Sequence, residues 1–181
     1  MEQMAFGCAF CRSGRERAFA DLMEIHFPEV EFFVPSKIRI RRSARGCDEE
    51  KVVLFPGYVF FRAPEDFNIA RFHLTGDLYY VLYAEKLDWR LRGSDYALAK
   101  TFYESNGVID LSQAWYEGDR IRIVDGFLKN YEGCITRVNH RAHTAEITLN
   151  LMGRKNRVWL GFELIEKEEA DKTPIKEKTN A

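Results

Sequence analysis

The texture of this chain changes at Ser105-Asn106-Gly107, and that change constrains the fold more than any other feature. Before it, segments of alternating apolar character are interleaved with segments of helical spacing. After it come only short alternating stretches separated by turn residues. One layer pattern cannot serve both halves, so the sequence predicts two small domains, α+β then all-β. A length of 181 residues has room for both.

The first half opens with Met4, Phe6, Cys8 and Phe10 on one face at period two, which reads as a buried strand. Ser13-Gly14-Arg15-Glu16 then fits a capping box, with Ala18, Phe19, Leu22 and Ile25 at helical spacing behind it and Pro28 beyond its end. Strands are expected at Val30 to Val34 and Ile38 to Ile40, then a polar basic loop through Arg45-Gly46. Lys51 to Phe61 is extended and apolar, interrupted by the bend at Pro56-Gly57. A short helix at Asp66 to Thr75, a strand at Leu78 to Ala84 and a helix at Ser94 to Glu104, capped by Ser94, complete this half. The order implies a ferredoxin-like α/β sandwich.

Residues 105–115 show no clear period and read as a linker. Strands are then expected at Asp119 to Val124, Gly133 to Asn139, Thr144 to Leu151 and Arg157 to Gly161. So many short strands in so few residues imply a small SH3-like β-barrel over 116–166. The stretch 167–181 is charged and poor in large apolar groups, so disorder is expected there.

Composition excludes some roles. Lys and Arg total 27 against 28 Asp and Glu, a formal net charge of -1, so any nucleic-acid binding must come from local patches. No apolar run is long enough to cross a bilayer, and no signal peptide is evident, so a cytoplasmic location is expected. Cys8, Cys11, Cys47 and Cys134 lack disulfide-framework spacing. Cys8 and Cys11 have C-x-x-C spacing, but they would point to opposite faces of a strand and no second pair completes a metal set. No phosphate-binding glycine loop, metalloprotease motif or nucleophile elbow is present, so neither catalysis nor a cofactor is expected.

Two segments carry a family resemblance. Leu54-Phe55-Pro56-Gly57-Tyr58-Val59-Phe60 is similar to the FPGY signature of the N-terminal (NGN) domain of the NusG transcription elongation factors. Ser13-Gly14-Arg15-Glu16 is similar to that family's S-G-x-E. Glu117-Gly118-Asp119-Arg120-Ile121-Arg122-Ile123, with Asp125-Gly126-Phe127 and Tyr131-Glu132-Gly133, resembles the KOW motif. The match spans the chain to about Ile165. It departs from the family at Phe6-Gly7, where a Trp-Tyr pair is usual. The basic ending of the barrel resembles that of the specialised LoaP-type antiterminators.

The resemblance implies an NGN domain over 1–104 that docks on the clamp helices of the largest RNA polymerase subunit through Phe10, Phe55, Tyr58 and Phe60. It implies that Arg12, Arg15, Lys37, Arg39, Arg41 and Arg42 face upstream or non-template DNA. In the barrel, Lys129, Arg137, His140, Arg141, His143, Arg154, Lys155, Asn156 and Arg157 are the candidate RNA-binding residues, with a leader hairpin as the implied ligand. The basic groups from Arg137 to His143 and from Arg154 to Arg157 are expected in or next to two turns, which at one rim of the barrel would form a single positive surface. Two alternatives stay open: a general NusG factor whose KOW domain contacts Rho or the ribosome, and a ribosome-associated RNA-binding protein. A monomer is expected.

Overall fold

The computed structural model describes residues 3–43, 46–74, 77–83, 88–118 and 120–166, with backbone alone at 42, 43, 73 and 74. The chain divides into two compact units. One comprises Met1–Lys37, Lys51–Ile109 and Asn150–Asn156; the other comprises Ile38–Glu50, Asp110–Leu149 and Arg157–Ala181. The division therefore does not follow chain order.

In the first unit, β1 (Met4–Cys11) is central to a four-stranded sheet. Helix α1 (Glu16–His26) and β2 (Glu31–Phe33) follow it; β3 (Ser36–Ser43) and β4 (Gly46–Val53) fall mostly in the second unit, and β5 (Tyr58–Pro64) belongs to the first. A 3-10 helix (Ile69–Leu74), β6 (Leu78–Val81), α2 (Gly93–Glu104) and β7 (Val108–Ile109) come next. The sheet order is β2-β5-β1-β6, with both neighbours antiparallel to β1. A separate three-stranded sheet has the order β4-β3-β7.

Alternation along β1 sends its odd and even residues to opposite faces, and each face is covered. Ala5, Ala9 and Cys11 join Val59, Phe61, Ala63 and Phe32 in a core closed by Phe19, Ala20 and Met23 of α1. On the other face Phe6 meets the rings of Tyr96 and Tyr103 from α2, each at 5.5 Å. Phe60 packs between Phe33 and Phe102 there.

The structure shifts the expected inner face of α1. Phe19, Ala20 and Met23 point inward, while Leu22 is exposed and Ile25 is 77% exposed. Two apolar stripes share this helix, and spacing alone cannot say which one meets the sheet. The expected caps also differ. Helix α1 starts from Arg15 and α2 from Arg92, and neither has a side-chain cap hydrogen bond. Of the basic stretch read as a loop, residues 41–43 lie in β3 and Gly46 opens β4, while 44 and 45 lie outside the described residues.

The second unit is built on β8 (Ser112–Glu117), β9 (Arg120–Asp125), β10 (Ile135–Asn139), β11 (Thr144–Leu151) and β12 (Arg154–Leu164). They form a five-stranded sheet in the order β10-β11-β12-β8-β9. A 3-10 helix (Phe127–Cys134) joins β9 to β10. Gly126 precedes that helix at φ 91°, and a Cβ there would stand 2.7 Å from Ser112. The expected linker therefore contains β7 and most of β8, whose residues Ser112 and Ala114 are buried. Polar Ser112 and Gln113 obscure that alternation in the sequence. The expected tail at 167–181 lies outside the described residues.

Candidate functional site

Phe10 sits directly opposite Tyr58 on β5 and Tyr80 on β6. Side chains facing each other across antiparallel strands must share a face. The result is a row of rings with Phe10 at its centre, 5.0 Å from Tyr58 and 5.3 Å from Tyr80. Tyr79 joins at 5.9 Å, beside a register shift between Phe10 and Cys11. Phe10 and Tyr58 are half-buried, whereas Tyr80 is 43% and Tyr79 59% exposed. Aromatic rings grouped at a surface supply large apolar area at little rotamer cost, which suits a protein-docking face.

A buried carboxylate holds this row in place. Glu16 is 4% exposed, and its Oε1 accepts the Gly14 amide at 2.9 Å and the Gly57 amide at 2.6 Å. The Cys11 amide in turn donates to the Gly57 carbonyl at 2.8 Å. Gly57 has φ 86°, and a Cβ there would stand 2.6 Å from the Phe10 ring. Thus S-G-x-E and F-P-G-Y form one bonded unit beneath Phe10 and Tyr58. Half of the expected capping box survives: Glu16 reaches back to a backbone amide, that of Gly14.

Phe55 and Phe60, expected in the docking set, are core side chains at 2% and 0% exposure. Both pack on Phe102 of α2, so neither can touch a partner. Phe60 shares a face of β5 with Tyr58 but lies further in, against Phe33 and Phe102, and Phe55 precedes the Gly57 turn, so both support the row from within.

The expected DNA-facing residues fall into different environments. Arg12 and Arg41 are exposed and make no ion pair among the described residues. Arg15 pairs with Asp77 at 3.7 Å, and Arg39 donates to Glu50 at 2.7 Å. The Arg39 hydrogen bond and charge hold the Glu50 carboxyl below its usual range. Lys37 is the second residue of β3, where it pairs in register with Ile109, and the Arg42 side chain lies outside the described residues.

The expected RNA-binding residues separate in the same way. Lys129 donates to the Ile123 carbonyl at 2.8 Å and pairs with Glu132 at 3.9 Å. Arg137 lies 3.8 Å from the buried Glu146. These two cations are already engaged. Arg141, Arg154, Lys155 and Arg157 are exposed and unpaired among the described residues. Asn156 donates its amide to the Arg154 carbonyl at 3.1 Å. The expected second turn needs correction: Arg154 to Arg157 open β12 and lie in a strand, whereas His140 to His143 form a turn before β11.

Cys8 and Cys11 are buried free thiols. Burial pushes both up, Cys8 well above its ordinary value and Cys11 to about 11, where the Glu16 and Asp77 carboxylates add to the effect. Among the described residues, no group of three or more His, Cys, Asp and Glu side chains could hold a metal ion. No described helix is long and apolar enough to cross a membrane.

No protein-family model matches the sequence, and comparison with curated proteins gives no match. The structure is similar to a solved structure describing domain interaction in Thermotoga maritima NusG, at 17% identity and a TM-score of 0.50. The alignment covers 88% of this chain and 94% of that one. The fold is NusG-like. Within this NusG-like fold, Tyr79 and Tyr80 escaped sequence reasoning because Leu78 to Ala84 reads as a buried strand. The available signal was position: a last strand added beside β1 lies at the sheet edge, where alternate side chains remain open.

Proposed function

We propose that this chain is a transcription elongation factor of NusG type, non-catalytic, which docks on RNA polymerase and contacts RNA through its second unit. The observation that carries it is the surface ring row of half-buried Phe10 and Tyr58 with exposed Tyr79 and Tyr80, held by the hydrogen bond from the Gly57 amide to Glu16. An apolar, partly polar-tipped face on a rigid sheet suits a helical partner such as the polymerase clamp. Support also comes from the sheet. Its four strands, numbered along the chain, lie in the order 2-3-1-4, with α1 in the first connection, as in a ferredoxin-like sandwich. The first unit is then of NGN type and the second of KOW type.

Within that family the proposed role is LoaP-like antitermination, with a leader RNA hairpin as ligand and a cytoplasmic location. Unpaired Arg141 and Arg157 in the second unit favour RNA over a purely protein partner. Arg12 and Arg41, exposed and without an ion pair among the described residues, are the proposed contacts to DNA phosphates.

Polymerase pull-down with purified core enzyme tests the docking claim. Tyr58→Ala and Tyr80→Ala should each cut retention at least tenfold while the thermal midpoint changes little. Retention equal to that of the unmodified chain would sink the docking surface. Equal read-through across unrelated leaders would favour a general factor over a specialist.

A further inference from the structure

Of the two basic segments, the turn between β10 and β11 has an arrangement that phosphate binding alone does not require. His140 lies over Tyr116 with ring centres 5.2 Å apart, and its Nδ1 is 3.0 Å from the Tyr116 hydroxyl. Burial holds the Tyr116 phenol above its ordinary value, so it is a hydroxyl at neutral pH and can donate to that nitrogen. His143 has φ 49° and is stacked on the buried Phe162, with centres 5.7 Å apart and planes at 16°. Its carbonyl accepts the Phe162 amide at 2.9 Å. Asn139 closes the turn by accepting the Ala142 amide at 2.9 Å. Between the two anchored imidazoles, Arg141 is exposed and unpaired. Rings fixed in advance cost little entropy when a base stacks on them, and a free guanidinium suits the adjoining phosphate or base edge.

We propose that the His140-Arg141-Ala142-His143 turn is a reader of unpaired nucleotides in RNA. A flexible, purely cationic turn would accept any phosphate. The anchored rings instead need a base face, which a duplex keeps inside its stack. The start of β12 at Arg154 to Arg157 offers cations, and no ring pair is described among those residues. It suits backbone phosphate of either paired or unpaired RNA. This division rests on the RNA reading of the second unit and adds to it the class of ligand.

The test uses the full chain and two fluorescent probes: an unpaired RNA oligonucleotide, and the same strand annealed to its complement. Anisotropy should show tighter binding to the unpaired strand. The exposed pair His140→Ala and Arg141→Ala should weaken that binding at least tenfold, within the range of one stacked base with its phosphate. Binding to the duplex should change less than twofold. Arg154→Glu with Lys155→Glu should weaken both probes alike. Preference for the duplex, equal loss on both probes, or no loss from the His140 and Arg141 pair would overturn the base-reading turn and leave RNA binding standing. An unmodified chain that binds neither probe would overturn the RNA reading and the turn with it.

Discussion

Glu16 carries more of the site than its place in a helix-start motif suggests. A buried carboxylate that accepts two backbone amides cannot be removed without leaving both donors unsatisfied. Each buried unsatisfied donor costs about 1–3 kcal/mol. Glu16→Ala should therefore destabilise the chain by about 2–4 kcal/mol in urea titration, whereas Glu16→Gln, which keeps an acceptor oxygen, should cost less than half of that. Gly57→Ala should cost about 1–3 kcal/mol, because the left-handed φ and the Phe10 ring both oppose a Cβ. Equal effects of the Ala and Gln variants would mean that charge, not the acceptor, matters at Glu16. The cysteines give a second check at this scale. Thiolate is the reactive form, and burial disfavours it at Cys8 and Cys11. Iodoacetamide at neutral pH should label exposed Cys47 and Cys134 in the native chain, and Cys8 and Cys11 only after unfolding. Rapid native labelling at Cys8 would contradict its burial.

Among the elements, β5 separates support from contact within a few residues. Tyr58 faces the ring row, while Phe60 is fully enclosed by Phe33 and Phe102. Phe60→Ala should cost about 3–5 kcal/mol, as core phenylalanine truncations do. Tyr80→Ala, at an exposed edge position, should cost about 1 kcal/mol or less. Similar costs at both positions in thermal denaturation would mean that the row is core. The sequence carried this element well. Its motif placed the turn at Pro56-Gly57 and gave Phe10 and Tyr58 as surface partners, and both lie in the row. It did not separate Phe55 and Phe60 from them, because burial depends on α2, which is far along the chain. It missed Tyr79 and Tyr80 because edge position follows from sheet order, which local alternation does not encode. The inner face of α1 was ambiguous for a related reason: Leu22 and Ile25 mimic a core stripe, and only the sheet chooses between them.

For the molecule as a whole, charge near balance turns salt dependence into a count. With 27 basic against 28 acidic residues, no general attraction to a polyanion is available. RNA binding then depends on the few cations without internal partners. Each phosphate neutralised on a single strand contributes about -0.7 to the slope of log K against log salt. Reversing Arg154 and Lys155 to Glu removes two such contacts, so the slope for unpaired RNA should become shallower by about 1.4. Lys129→Ala and Arg137→Ala should leave it nearly unchanged, since the Ile123 carbonyl, Glu132 and Glu146 already hold those side chains. Anisotropy titrations over a salt series distinguish the two cases directly. A slope that falls equally for all four substitutions would mean that diffuse charge, not the unpaired cations, drives binding. A slope unchanged by Arg154→Glu with Lys155→Glu would remove the start of β12 from the RNA surface and leave the His140 to His143 turn as its centre.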